Sequence, residues 1–299
     1  SRQQLKQGNP FSILVLGTDV GALGRGTSYA GNTDTLELIT VNPKKHTLTT
    51  TAIPRDTLVR VETKNKVEYT KINAAYALGG PREIKKQVHE LLDVPVDYYA
   101  LVNMGGLEKT VNAVGGVTVN NPFSFKYEGH TYPKGKQYLN GSEALGYSRM
   151  RYDDPDNDYG RQKRGQQVLL SALTKVNKSK NIMQMNSLLD TAKDNVRTDL
   201  PLDDLMTLYK NYHGALADTQ SDHLQGKNAT IDNFSFQIAP NKEMQRLSDN
   251  TRQALGLPKV KVNNIQTKMN DMQTNWNGYN NVNYVLPNNA QVYIPVNKV

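Results

Sequence analysis

The sequence predicts an α/β fold in which helices cover a central sheet. From Phe11 onward strand-like and helix-like segments alternate, the order that builds layered α/β domains. Apolar runs are spread along all 299 residues, enough chain for one large core or two ordinary ones. No internal repeat or heptad run competes with that reading.

Residues 1–8 are polar without periodicity and read as a flexible lead-in. FSILVLG (11–17) is a β-rich run closed by Gly17, and DTLELITVN (34–42) and HTLTTTAI (46–53) are neighbouring strands joined at Asn42-Pro43, a turn signal. PREIKKQVHELLD (81–93) opens with proline at a first helical position and places Ile84, Val88, Leu91 and Leu92 on one face. YYALVN (98–103) is a strand, GLEKTVNAVGG (106–116) a helix ended by two glycines, and VTVN (117–120) a strand. The second half is more helical. GSEALGYSRM (141–150) carries serine and glutamate at its start, and residues 160–176, 182–196 and 202–213 read as further helices. IDNFSFQIA (231–239) is a strand, followed by an amphipathic helix over 242–256. Then the composition shifts: residues 259–299 hold 11 asparagines and one acidic residue, Asp271, and read mostly as loop with an edge strand at NAQVYIPV. The organisation is therefore a lead-in (1–8), a main domain (9–258) and an Asn-rich extension (259–299).

Composition narrows the function. The chain is 37% hydrophobic with a mean hydropathy of −0.63. Its longest clean aliphatic run, Ile13–Leu16, is far short of the roughly 20 residues of a spanning helix, which excludes an integral membrane bundle. No basic–apolar–small leader opens the chain. Zero cysteines exclude a disulfide scaffold, a thiol enzyme and a thiolate zinc site. The formal charge of +8 favours polyanionic partners: nucleic acid, anionic wall polymers, phospholipid surfaces or phosphorylated substrates. A soluble protein that is merely basic has the same balance. The five histidines show no ligand spacing, Ser142 lacks the second glycine of a nucleophile elbow, and no nucleic-acid motif is present.

Two constellations carry chemistry. Arg149, Arg151, Arg161 and Arg164, four of the chain's 12 arginines, fall within 16 residues among Asp153, Asp154, Asp156 and Asp158. Arg161 and Arg164 are spaced to share a helix face, and converging guanidinium forks suit a pyrophosphate. A surface ion-pair network explains the same composition equally well. Secondly, Asp19, Asp34, Arg55 and Asp56 flank the predicted strands, where layered α/β folds place their ligand crevice. Two carboxylates with substrate phosphate oxygens are the usual way to hold magnesium; loop capping is the plain alternative for each aspartate. Lys71 is a further candidate cation or a solvated lysine.

Taken in order, ILVLGTD, the TDT of NTDT, IPRDT, KINAAYALGG, VGGV, L-N-G-x-x-A-L-x-Y-x-R-M-R and D-x-G-R-x-x-R resemble the extracellular domain of the LytR-CpsA-Psr family across residues 11–170, and more weakly to about 257. The resemblance implies a three-layer α-β-α sandwich with a central mixed sheet and an apolar groove for a polyprenyl tail. It implies a phosphotransferase that moves an anionic glycopolymer (wall teichoic acid, capsule or similar) from a polyprenyl-pyrophosphate carrier to peptidoglycan. Asp19 and Asp34 would hold magnesium (or manganese). Arg55, Lys71, Arg149, Arg151, Arg161, Arg164 and Gln166 would grip the two phosphates. Arg55 and Asp19 are the expected catalytic groups, although metal ligation and general-base work compete for one carboxylate. The family is anchored in Gram-positive membranes by an N-terminal helix with this domain outside; residues 1–8 would be its juxtamembrane remnant, and no nucleic acid is expected. Three positions depart from the pattern: Val20 replaces an arginine, with Arg25 a possible substitute; Thr33 replaces the serine before Asp34; and Gly165 replaces a glutamine. The alternatives are a hydrolase using the same site, a non-catalytic polyanion-binding module, and a regulatory wall protein.

Overall fold

The computed structural model describes residues 2–18, 33–151, 153–179, 182–201, 203, 205–278 and 284–295. The expected lead-in is ordered: helix α1 (Arg2–Lys6) buries Leu5, and the Asn211 side chain donates to the carbonyls of Leu5 and Lys6. Strands β1 (Phe11–Thr18), β2 (Thr35–Asn42) and β3 (Thr47–Ala52) follow, then a hairpin, β4 (Leu58–Thr63) and β5 (Lys66–Lys71). Helix α2 (Ala75–Leu92) is interrupted at Gly80, whose φ of 70° resets the chain so that Pro81 begins the second segment. Strand β6 (Tyr98–Asn103), helix α3 (Met104–Ala113), β7 (Val117–Asn121), the hairpin β8 (Phe125–Tyr127) and β9 (His130–Tyr132), and β10 (Gly135–Leu139) come next. Then follow α4 (Gly141–Arg149), α5 (Asn157–Ser179), α6 (Ile182–Asn195), β11 (Val196–Thr198) and α7 (Leu205–Tyr212). The chain continues through β12 (Asp218–His223), β13 (Lys227–Ile231), β14 (Phe234–Ile238), α8 (Asn241–Ala254) and α9 (Ile265–Asp271).

The central sheet is mixed, with order β11-β6-β1-β2-β3-β12. β1 runs parallel to β6 and antiparallel to β2; β3 is antiparallel to β2 and parallel to β12. The carboxyl ends of β1, β3, β6 and β12 therefore share one edge with the first residue of β2. Side-chain alternation sorts the two faces. Leu14, Leu16, Leu36 and Leu38 pack with Ile84, Val88 and Leu91 of α2 and with Met244 and Leu247 of α8. Phe11, Ile13, Val15, Ile39 and Val41 face the other way, against Leu169, Leu170 and Leu173 of α5 and Leu208 and Tyr212 of α7. This is the expected three-layer arrangement. Fully burying each such leucine contributes roughly 1.5–3 kcal/mol, so the sheet holds its helices by apolar area on both sides. No helix among the described residues is long and apolar enough to cross a membrane.

The Asn-rich extension is packed onto the main domain. Met269, Tyr284 and Leu286 are buried with Leu58 and Tyr69 of the β4–β5 hairpin and Phe236 and Ile238 of a second hairpin, β13–β14. Residues 290–295 do not form the expected strand; they make one bridge, with the Tyr293 amide donating to the Tyr69 carbonyl at 2.8 Å.

Candidate active site

A cavity of about 480 Å³ opens at the shared strand edge, beneath α5. Arg55, Arg149, Arg151 and Arg161 line it together with Asp34. Each arrives by a separate route. The Asp34 amide donates to the Gly17 carbonyl at 2.8 Å, which ties the entry of β2 to the end of β1. Arg55 follows β3 across Pro54 in a turn that the Thr57 hydroxyl closes by donating to the Pro54 carbonyl. Arg149 ends α4, whose capping box is formed by Asn140 and Glu143 rather than by Ser142. Arg161 lies one turn into α5.

The guanidiniums are held in place by acceptors before any ligand arrives. Arg55 Nη1 lies 3.2 Å from Asp34 Oδ1, and its Nε 3.8 Å from Asp158 Oδ1. Arg161 donates from Nε to Asp158 Oδ1 (2.7 Å), from Nη1 to Thr35 Oγ1 (3.2 Å) and from Nη2 to the Asp34 carbonyl (2.9 Å). Burial by itself would lower the Arg55 pKa, but Asp158, Asp56 and Asp34 together hold it above the ordinary value. Burial likewise pushes Asp158 up, and Arg161, Arg55 and Arg151 overcome it and hold the carboxyl below the usual range. Four guanidiniums share the lining with three carboxylates (Asp34, Glu37 and Glu128), and Asp158 backs Arg55 and Arg161. The inner side of the cavity is aliphatic: Val15, Val102, Leu107 and Leu169 come from β1, β6, α3 and α5.

Three residues expected at the phosphates stand elsewhere. Arg164, 2% exposed, turns inward from α5; it pairs with Asp154, donates to the Met150 carbonyl and, at 3.0 Å, to the Tyr147 carbonyl, and lies over the Phe125 and Tyr147 rings. The three-residue spacing from Arg161 rotates it far enough to enter the satellite core between α5 and α4. Gln166 is also buried and donates to Glu37 Oε2 (3.0 Å) and the Asp222 carbonyl (2.9 Å). Lys71 pairs with Asp56 (3.1 Å) and lies over the Phe236 ring, outside the cavity lining. Asp19, Val20 and Arg25 lie outside the described residues. Thr33 is buried with its amide bonded to the Asn73 carbonyl. Gly165 faces the cavity, and a Cβ there would meet nothing within 4 Å, so the departure from glutamine enlarges the space.

Sequence reasoning missed Glu37, Tyr127, Glu128 and Gln162, all in the lining. Glu37 had a visible signal: it is the one charged residue in the strand TLELITV. It shares strand parity with Ile39 and faces α5, where Thr50 Oγ1 (2.7 Å) and Gln166 Nε2 both donate to its Oε2. Burial raises its carboxyl from 4.5 to about 7, against the opposing pull of Thr50, Gln166 and Arg161. Between pH 4.5 and 7 the folded chain keeps a proton there that the unfolded chain releases, so stability falls as pH climbs through that window. Glu37→Gln removes this titration. Denaturant curves are expected to show the wild type losing up to about 3 kcal/mol relative to the variant across the window; parallel pH profiles would refute the assignment.

The sequence profile of the LytR_cpsA_psr family matches residues 1–253. The chain belongs to this family. Its match to the LytR_cpsA_psr family extends to individual relatives. Biofilm regulatory protein A of Streptococcus mutans is 38% identical over 272 residues, 86% of this chain and 67% of that protein. The polyisoprenyl-teichoic acid–peptidoglycan teichoic acid transferase TagU of Enterococcus faecalis is 37% identical, covering 85% of this chain and 83% of that protein. Among solved structures, a protein from Streptococcus agalactiae superposes with a TM-score of 0.79 at 35% identity, over 88% of this chain and 93% of that one. TagT bound to LIIa-WTA superposes with a TM-score of 0.69 at 27% identity, over 84% and 93%.

Proposed function

We propose that the chain transfers a phosphate-linked anionic glycopolymer from a polyprenyl-pyrophosphate carrier to a peptidoglycan hydroxyl. The observation that carries this is a single cavity with arginines from three separate stretches of chain at its mouth and aliphatic side chains within. The arrangement matches an amphipathic donor whose charged diphosphate joins an apolar tail. The relatives named as teichoic acid transferases support the same reading.

In this reaction an acceptor hydroxyl attacks the phosphorus nearer the polymer, the bond to the bridging oxygen breaks, and polyprenyl phosphate leaves, the hydroxyl proton passing to the departing phosphate or to solvent. Arg55, Arg149, Arg151 and Arg161 bind the diphosphate and neutralise charge that grows on the leaving phosphate. Asp34 and Asp158 fix the Arg55 and Arg161 forks, so little reorganisation is needed when the donor binds. Val15, Val102, Leu107 and Leu169 take the first units of the polyprenyl chain and exclude water from the reacting phosphorus.

Magnesium fits the donor set in part. Asp34, a hard oxygen ligand, faces the cavity, and among the described residues no group of three or more metal-ligating side chains gathers. Magnesium keeps most of its waters and needs only one or two carboxylates beside phosphate oxygens. Asp34 and Asp19 would hold it, and it would supply charge neutralisation at the diphosphate. We expect EDTA to abolish transfer and magnesium or manganese to restore it; full activity in EDTA would remove the metal from the scheme. In this reading the domain works on the outer face of a Gram-positive membrane, tethered by an N-terminal helix.

The deciding experiment incubates the protein with a polyprenyl-pyrophosphate glycan, with and without peptidoglycan. Product joined to peptidoglycan is the expected outcome. Release of polymer phosphate into water at the same rate with or without acceptor would instead identify a hydrolase.

A further inference from the structure

A second cavity of about 470 Å³ is lined by the first turn of α5. Gln162 lines both cavities, and it is only 5% exposed. Its Oε1 is buried with no hydrogen-bond partner among the described residues. Such an orphan acceptor at a partition between two spaces points to a donor supplied by a ligand. The chemistry of the second cavity is unlike that of the first. Asp56, Asp156 and Asp158 line it, paired with Lys71, Lys163 and Arg161, and Lys227 is the one cation in the lining, so no guanidinium fork is offered to a phosphate. The remaining wall combines side-chain amides and hydroxyls with Pro54, Pro155 and two glycines. The Tyr159 hydroxyl accepts from the Gly226 amide (2.8 Å) and donates to Gln237 Oε1 (2.7 Å), and Gln237 Nε2 donates to Asn228 Oδ1 (2.5 Å). A preset mixture of carboxylates, amides and hydroxyls in a cavity of this size matches a neutral, polyhydroxylated ring.

We infer that this cavity is a sugar-binding subsite, divided from the diphosphate site by Gln162, and that the Asn-rich extension builds part of it. The inference rests on the transferase reading of the neighbouring cavity. The extension reaches the rim directly: Gly278 lines the cavity, and Trp276 Nε1 donates to the Asn228 carbonyl at 3.0 Å. Both residues lie beyond the family match, which ends at residue 253. The extension thus adds a wall of its own to a subsite whose other lining residues fall within the family match. The ring bound there belongs either to the acceptor glycan or to the donor polymer, and kinetics separates the two.

Trp276 is the only tryptophan of the chain, so its fluorescence reports on the rim. A β-1,4-linked N-acetylglucosamine tetrasaccharide serves as probe. The wild type is expected to show a saturable fluorescence change that Ser235→Phe, which fills the cavity from an exposed position, weakens at least about tenfold, as does Asn228→Ala. In the transfer assay the same variants should raise one apparent KM about tenfold while kcat changes little. A rise confined to the acceptor places its glycan in the cavity; a rise confined to the donor places the polymer's sugar there. Unchanged KM values for both substrates in both variants, with wild-type melting curves, would overturn the inference while leaving the transferase reading standing. Absence of any donor turnover by the wild type would fail that reading instead, and saturable tetrasaccharide binding would still support the subsite.

Discussion

Arg55→Ala is expected to lower kcat for transfer by about 10³-fold, the scale on which a preset cationic donor contributes to phosphoryl transfer. Arg55 is singled out because Asp34 and Asp158 both contact it, so its fork already points into the cavity. Folding should survive the change. Asp158 keeps its 2.7 Å bond to Arg161, and β2 stays tied to α5 through Thr35 and the Asp34 carbonyl. Arg55→Lys preserves charge but not the planar fork, and should recover only part of the rate. The measurement is release of lipid phosphate under donor saturation, alongside melting curves. Near-normal turnover by the alanine variant would remove Arg55 from the chemistry, and with it the argument that the cavity is catalytic.

Arg164→Ala should produce the largest loss of stability of any single arginine change. The side chain is 2% exposed, and its removal strands the Asp154 carboxylate, itself 6% exposed, and takes a donor from two buried carbonyls. Breaking one side of such a pair costs about 3–5 kcal/mol. For a chain of this size that lowers the melting temperature by about 10 °C. The double change Arg164→Met with Asp154→Leu should recover much of the loss, because the leftover charge disappears. A melting temperature within about 2 °C of wild type for Arg164→Ala would show that Asp154 finds solvent or another cation.

The layered plan was legible because the central strands carry long apolar runs and the helices have clean faces. The small hairpins were not. The strand read over 231–239 is β14 (Phe234–Ile238); the first residues of that range are instead the end of β13, a strand not expected from the sequence, and a turn at Asp232-Asn233, both with positive φ. Asp-Asn makes this turn without the glycine that usually marks it. The β4–β5 pair turns at Lys64-Asn65 between strands of mixed polarity, so neither periodicity nor punctuation signals it. At the site, residue type pointed to the arginines, but composition could not separate Arg161 from Arg164. That distinction depends on which side of α5 meets the cavity and which meets Tyr147 and Phe125. The Asn-rich extension misled for a related reason: its few apolar residues, Met269, Tyr284 and Leu286, are spaced without period yet all find the same hairpins.

Arg161, which pins the entry of β2, and Gln162, which separates the two cavities, are consecutive residues on one helical turn. Any substitution that shifts this turn to suit a new glycan also displaces the groups that hold the diphosphate. Attempts to retarget the protein to other polymers should therefore begin on the β13–β14 hairpin, at Asn228 and Ser235, where selectivity can be varied without disturbing turnover.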